Sequence, residues 1–138
     1  MKAYFTRAYT LSASHRLHTP ELSEQENRAV FGKCNNPHGH GHNYRIEVTV
    51  GGKVDPATGM VINMADLDGV ARRQVVERFD YRNLNLDPIF LDRVPTTENL
   101  CIAIFDLLAP ELKPVILERV RVVETENNSF EYCGANRK

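Results

Sequence analysis

A cysteine and three histidines crowd one short stretch of this chain, Cys34-Asn-Asn-Pro-His38-Gly-His40-Gly-His42-Asn-Tyr44. On a β-strand, side chains two apart leave the same face, so His40 and His42 can aim two imidazoles at one ion, and the intervening glycine leaves room for close approach. His15, on the apolar parity of an earlier alternating segment, can supply a third. Three neutral imidazoles with an open fourth position suit Zn2+ in its catalytic form. A histidine pair after glycine-rich sequence can also bind nothing. Against that, His40 and His42 share parity with Tyr44, Ile46 and Val48, which turns them inward, where an unpaired imidazole costs roughly a few kcal/mol.

Two further residues carry chemistry in this pattern. Cys34 follows Lys33 in a loop with Gly32 and Pro37, so a cation and a nearby metal would stabilise its thiolate as a base or nucleophile. A small buried hydrophobe is the other reading, and it suits Cys101, on a helical apolar stripe, and Cys133 better. Glu124 continues the parity of Val120 and Val122. It is either a strand-end acid turned to solvent or a buried carboxylate that needs a partner, such as a ligand presenting a ring N–H and an exocyclic amino group side by side. His18 and His38 read as a satisfied polar residue and a loop histidine.

The elements that hold these residues follow from periodicity. From Ala3 to Leu17 apolar residues fall on alternate positions, a half-buried strand, and the pattern repeats from His40 to Val50. Thr19 to Arg28 is polar, contains Pro20 and reads as a surface loop. Turn chemistry at Gly51-Gly52 and Asp55-Pro56-Ala57-Thr58-Gly59 points to a hairpin whose return strand is Met60 to Ile62. Apolar spacings of three and four predict a helix from Ala65 to Phe79, and a second begins at Thr96-Thr97-Glu98 with Leu100, Ala103, Ile104, Leu107 and Leu108 as its buried stripe. Leu117 to Glu124 and Phe130 to Cys133 read as a closing pair of strands. The expected fold is α+β, ββααββ, with an antiparallel four-stranded sheet and both helices on one face.

At 138 residues the chain suits one domain, residues 1–138. Seventeen Lys and Arg against 18 Asp and Glu give a net charge of -1, which offers no global attraction to nucleic acid or anionic membrane. No stretch approaches a membrane span, the first residues lack the apolar run of a secretory signal, and three widely spaced cysteines suit free thiols, so a cytoplasmic protein with a small-molecule partner is expected.

Taken together, FGKCNNPHGHGHNY, the upstream SASHRL, the central VDPATGMVINMADL, the helix start PTTENL and the late VVETENN resemble the 6-pyruvoyl-tetrahydropterin synthase family, which also holds the 6-carboxy-tetrahydropterin synthases of queuosine biosynthesis. The likeness runs from about Phe5 to Tyr132. It implies the tunnelling fold, with trimers whose sheets close into a barrel, two trimers stacked as a homohexamer, and active sites between subunits. It implies that His15, His40 and His42 bind zinc, that Cys34 is the catalytic thiolate, and that Glu124 anchors the pterin with help from Thr96 and Thr97. The implied reaction is elimination of triphosphate from 7,8-dihydroneopterin triphosphate to give 6-pyruvoyl-tetrahydropterin on the tetrahydrobiopterin route, with no external redox cofactor.

The pattern departs from the family at one place. Where the family carries Asp-His as its second proton-transfer group, this chain carries Asp80-Tyr81. A tyrosine with an ordinary pKa near 10 is a poor base at neutral pH. The departure keeps open a 6-carboxy product, an aldolase-like cleavage of dihydroneopterin, or a pterin-binding protein with altered catalysis.

Overall fold

In the computed structural model, which describes residues 2–135, two long strands dominate. β1 (Lys2–His15) and β2 (His40–Lys53) pair antiparallel along their full length, from Lys2 opposite Lys53 to His15 opposite His40. Alternation fixes the faces: Leu11, Ala13 and His15 of β1 and Tyr44, Ile46, Val48 and Val50 of β2 are buried on one side. Both histidine-bearing strand segments thus end side by side.

The loop expected between these strands contains a helix, α1 (Glu24–Phe31). Ser23 accepts from the Glu26 N–H while the Glu26 carboxylate accepts from the Ser23 N–H. The Ser-x-x-Glu spacing was the available signal, but it precedes no apolar run, and the helix buries only Asn27. Gly32 ends it at φ 56, and a 3-10 turn, Gly32–Asn35, carries Cys34.

The expected hairpin after β2 does not form. Asp55 to Met60 closes on itself, with the Gly59 N–H donating to the Asp55 carbonyl at 2.7 Å and Gly59 at φ 73, and residues 60–62 are not a strand. The place beside β2 is taken by β4 (Ile116–Thr125), antiparallel to it with a register shift at Thr49/Val50. β5 (Asn128–Tyr132) returns along β4. A two-residue β3 (Arg82–Asn83) joins β1 in parallel at Ala13 and Ser14. The sheet is therefore five-stranded and mixed, in the order β3-β1-β2-β4-β5, rather than four-stranded and antiparallel. A strand as short as β3 leaves no alternation to detect.

The two expected helices are present. α2 (Met64–Ala71), capped by Asn63, runs on through a π-helical stretch, Arg72–Val76, into a last α turn, Glu77–Phe79. α3 (Thr97–Leu108) packs against β4, β5 and the π stretch. Leu67, Val75, Phe79, Leu100, Ile104 and Leu108 meet the buried face of the sheet to make one core. Arg7 donates twice to Asp68, and the Tyr9 hydroxyl donates to the same carboxylate at 2.8 Å, tying β1 to α2. No helix is long and apolar enough to cross a membrane.

Ile104 is fully buried between α3 and the sheet. Ile104→Ala is expected to lower unfolding free energy by about 2–5 kcal/mol, measured by urea denaturation, because the packed core cannot close over the deleted methyls.

Candidate metal centre and active site

The β1–β2 register puts His15 opposite His40 and Ala13 opposite His42, so three imidazoles converge where the two strands end. Their ring centroids lie 4.7–5.2 Å apart, each pair edge to face. One nitrogen from each ring falls within 4.8 Å of the others. His15 is 1% exposed, while His40 and His42 are half-buried.

The hydrogen bonding around this cluster selects tautomers. His15 Nδ1 lies 2.7 Å from the Pro95 carbonyl, which can only accept, so Nδ1 carries the proton and Nε2 offers a lone pair. That Nε2 faces His40 Nε2 at 3.2 Å. Two ligand nitrogens on a tetrahedral zinc, at bonds of about 2.0–2.1 Å, sit about 3.3 Å apart. His42 Nε2 is buried without a hydrogen-bond partner, 3.8 Å from Glu124 Oε1, too far for a hydrogen bond. An orphaned buried acceptor costs about 1–3 kcal/mol and marks a nitrogen built for another partner. The donor set therefore fits a metal ion of zinc's size and softness.

Electrostatics keep the donors ready. Burial pushes the His15 pKa down, with the Pro95 hydrogen bond opposing and His40 and His42 assisting. Burial likewise lowers His42, against the pull of Glu124. Both rings are thus neutral near pH 7, the form that binds metal.

Glu124 is inward-facing, as its parity allowed. Burial alone would raise its pKa, but hydrogen bonds from Thr97 and Asn128, together with His42 and His15, outweigh that and hold it below the ordinary glutamate value. The Thr97 hydroxyl donates to Oε2, and the Asn128 amide donates to Oε1 at 3.2 Å. An ionised carboxylate with spare lone pairs beside the histidines is a receptor for paired N–H donors. Thr96 does not reach the carboxylate; its hydroxyl accepts from the Asn99 N–H and caps α3.

Cys34 departs from the expected electrostatics. Burial first, and then the negative charge of Glu124, push its thiol pKa up, and Lys33 does not offset them. In the chain alone Cys34 is a thiol, and it becomes a thiolate only when a cation lies beside it.

Asp80 and Tyr81 stand apart. Asp80 Oδ1 accepts from the Ser12 N–H at 2.8 Å, and the Tyr81 N–H donates to the Ser12 carbonyl at 2.6 Å, which pins both to the outer edge of β1. The Tyr81 side chain is 87% exposed and borders a cleft of about 380 Å³ shared with Ser12, Ser14, His42, Asn43 and Arg82. Among the described residues, neither makes a hydrogen bond or ring contact with Cys34 or the histidines. His38 is an exposed loop residue, and His18 Nδ1 accepts from the Asn35 side-chain amide at 3.1 Å.

Two participants escaped sequence reading. Tyr44 shared the histidines' parity and brings its hydroxyl within 3.4 Å of His15 Nδ1. The Pro95 carbonyl had no signal, because a backbone acceptor leaves no mark on residue type.

Three histidines on paired strands that could together hold a metal ion, with an ionised carboxylate and a thiol around them, fit the class of α+β enzymes acting on a small polar ligand. The chain belongs to the 6-pyruvoyl tetrahydropterin synthase family, whose model matches residues 4–135. It is 48% identical over 134 residues to the 6-pyruvoyl tetrahydrobiopterin synthase of Homo sapiens, covering 96% of this chain and 92% of that protein. The enzyme of the same name from Poecilia reticulata is 48% identical over 132 residues, 95% of this chain and 90% of that one. The structure of Caenorhabditis elegans 6-pyruvoyl tetrahydropterin synthase superposes with a TM-score of 0.92 at 41% identity, covering 98% of this chain and 97% of the other.

The histidine shifts carry a pH prediction. Because burial holds His15 and His42 below the ordinary value of 6.5, the unfolded chain takes up protons first as pH falls through that value. Metal-free protein is therefore expected to lose stability between about pH 7.5 and about pH 5.5, read as a falling urea midpoint. The loss should shrink when both rings are replaced by glutamine.

Proposed function

We propose that this chain is a zinc-dependent lyase that eliminates triphosphate from 7,8-dihydroneopterin triphosphate to give 6-pyruvoyl-tetrahydropterin. The observation that carries this reading is the juxtaposition of three metal-ready imidazole nitrogens within 4.8 Å of one another and an ionised Glu124 3.8 Å from one of them. Such a pair of anchors suits a flat heterocycle with adjacent N–H groups at one end and an oxygen-rich side chain at the other.

His15, His40 and His42 hold the ion, and a bound zinc supplies Lewis-acid polarisation of the side-chain oxygens, which acidifies the neighbouring C–H. Glu124, steadied by Thr97, accepts from the pterin ring and fixes which carbon faces the site. Cys34 moves the proton; a cation held by the three histidines would offset the burial and the Glu124 repulsion that raise its thiol pKa. Asp80 and Tyr81 form the second proton-transfer pair. Their tie to Ser12, with no hydrogen bond to Cys34 or the histidines among the described residues, supports a homohexamer, a dimer of barrel-forming trimers of the tunnelling fold, in which one subunit's pair serves its neighbour's centre. The sheet has edges for such pairing: β1 is met by β3 only at Ala13 and Ser14, and β5 is flanked on one side only. Free Cys34, Cys101 and Cys133 support a reducing, cytoplasmic setting.

Zinc-loaded protein incubated with 7,8-dihydroneopterin triphosphate is expected to release triphosphate and yield a product of the mass of 6-pyruvoyl-tetrahydropterin. Cys34→Ala should abolish release while retaining zinc, and His40→Ala should lower zinc content. A 6-carboxy product mass would move the enzyme to the queuosine route, and tight binding without turnover would leave it a pterin-binding protein.

Tyr81→His tests the departure from the family. A group with a pKa near the working pH is a better proton carrier than a phenol, so kcat is expected to rise by about tenfold or more with KM little changed. An unchanged kcat would remove residue 81 from the rate-limiting proton transfer.

A further inference from the structure

The first turn of α3 is joined to the site at two points. Just before it, the Pro95 carbonyl accepts from His15 Nδ1 at 2.7 Å; just inside it, the Thr97 hydroxyl donates to Glu124. These contacts lie two residues apart, so the backbone between them sets both. What holds that backbone is a convergence of donors on one atom. The Thr96 N–H and the Asn99 side-chain amide each donate to the Val94 carbonyl at 2.8 Å, while the Asn99 N–H is itself capped by the Thr96 hydroxyl at 3.1 Å. Pro95, lacking an N–H, adds no bond of its own to this turn. Its carbonyl direction is dictated by its neighbours.

We infer that Asn99 is a positioning residue for both halves of the site: by clamping Val94 it aims the Pro95 carbonyl at His15 and sets Thr97 against Glu124. Asn99 touches no metal ligand directly. It acts through a peptide group that selects the His15 tautomer whose Nε2 lone pair faces the metal position. The inference rests on the reading of the three histidines as a metal centre. Partners one step removed from a metal are worth about 10–100-fold in affinity when lost.

The isosteric change Asn99→Asp removes the donor and sets carboxylate oxygen against the Val94 carbonyl, while Asn99→Gln keeps a donor on a longer arm. Asn63→Ala, which removes the cap of α2 far from the site, controls for loss of helix stability alone. Zinc affinity by competition with a chromophoric chelator is expected to fall about 10–100-fold in Asn99→Asp, to recover in part in Asn99→Gln, and to hold in Asn63→Ala. In metal-free protein, long-range 15N–1H spectra should show His15 as the Nδ1–H tautomer in the wild type and as a mixture in Asn99→Asp. Affinity for a non-reacting pterin should fall in parallel with that for zinc. A folded Asn99→Asp protein with a wild-type His15 tautomer, or one whose only defect is a lowered melting temperature, overturns the inference. Failure of the wild type to bind zinc would overturn the metal reading instead, and the tautomer spectra would still judge the clamp.

Discussion

The antiparallel register of β1 and β2 is the constraint on which everything else rests. Because side chains alternate with a period of two, the pairing that buries Leu11, Tyr44, Ile46 and Val48 also delivers His15, His40 and His42 to one point. A slip of β1 by one residue would put His15, with Leu11 and Ala13, on the face opposite His40 and His42 and scatter the cluster. Metal site and hydrophobic core are thus specified by the same pairing. The unpartnered His42 Nε2 costs the folded chain something, and the burial of the adjoining core offsets it.

The site is electrostatically layered around this register. Burial lowers the pKa of His15 and His42 and raises that of Cys34, while hydrogen bonds and the nearby rings hold Glu124 ionised against it. Glu124 stays charged because Thr97, Asn128 and the histidines favour its anion, and that same anion discourages a second one at Cys34.

Residues whose role depends on side-chain type and strand parity were legible in the sequence. His15, His40, His42 and Glu124 fall where alternation put them, and both amphipathic helices form within a few residues of their expected bounds. What was not legible is instructive. β3 has two residues and no period; α1 buries one polar side chain and so lacks an apolar stripe; residues 60–62 resembled a return strand because nothing local announces that β4, more than fifty residues later, takes that place. The Pro95 carbonyl, which fixes the His15 tautomer, belongs to a peptide group that every residue shares. The raised pKa of Cys34 in the bare chain comes from burial first and then from Glu124, a neighbour in space only, neither of which its sequence neighbour Lys33 announces.

Tyr81 sits at φ 57, in the left-handed region, and is held there by main-chain bonds at Ser12 rather than by anything its side chain does. The conformational penalty is largest for β-branched residues, and histidine tolerates this region better than most. With its ring in solvent and its backbone anchored, position 81 is an exchangeable socket in the architecture. The side chain presented there can be exchanged without repacking the core or altering a strand, so the chemistry displayed at this point is separable from the scaffold that displays it.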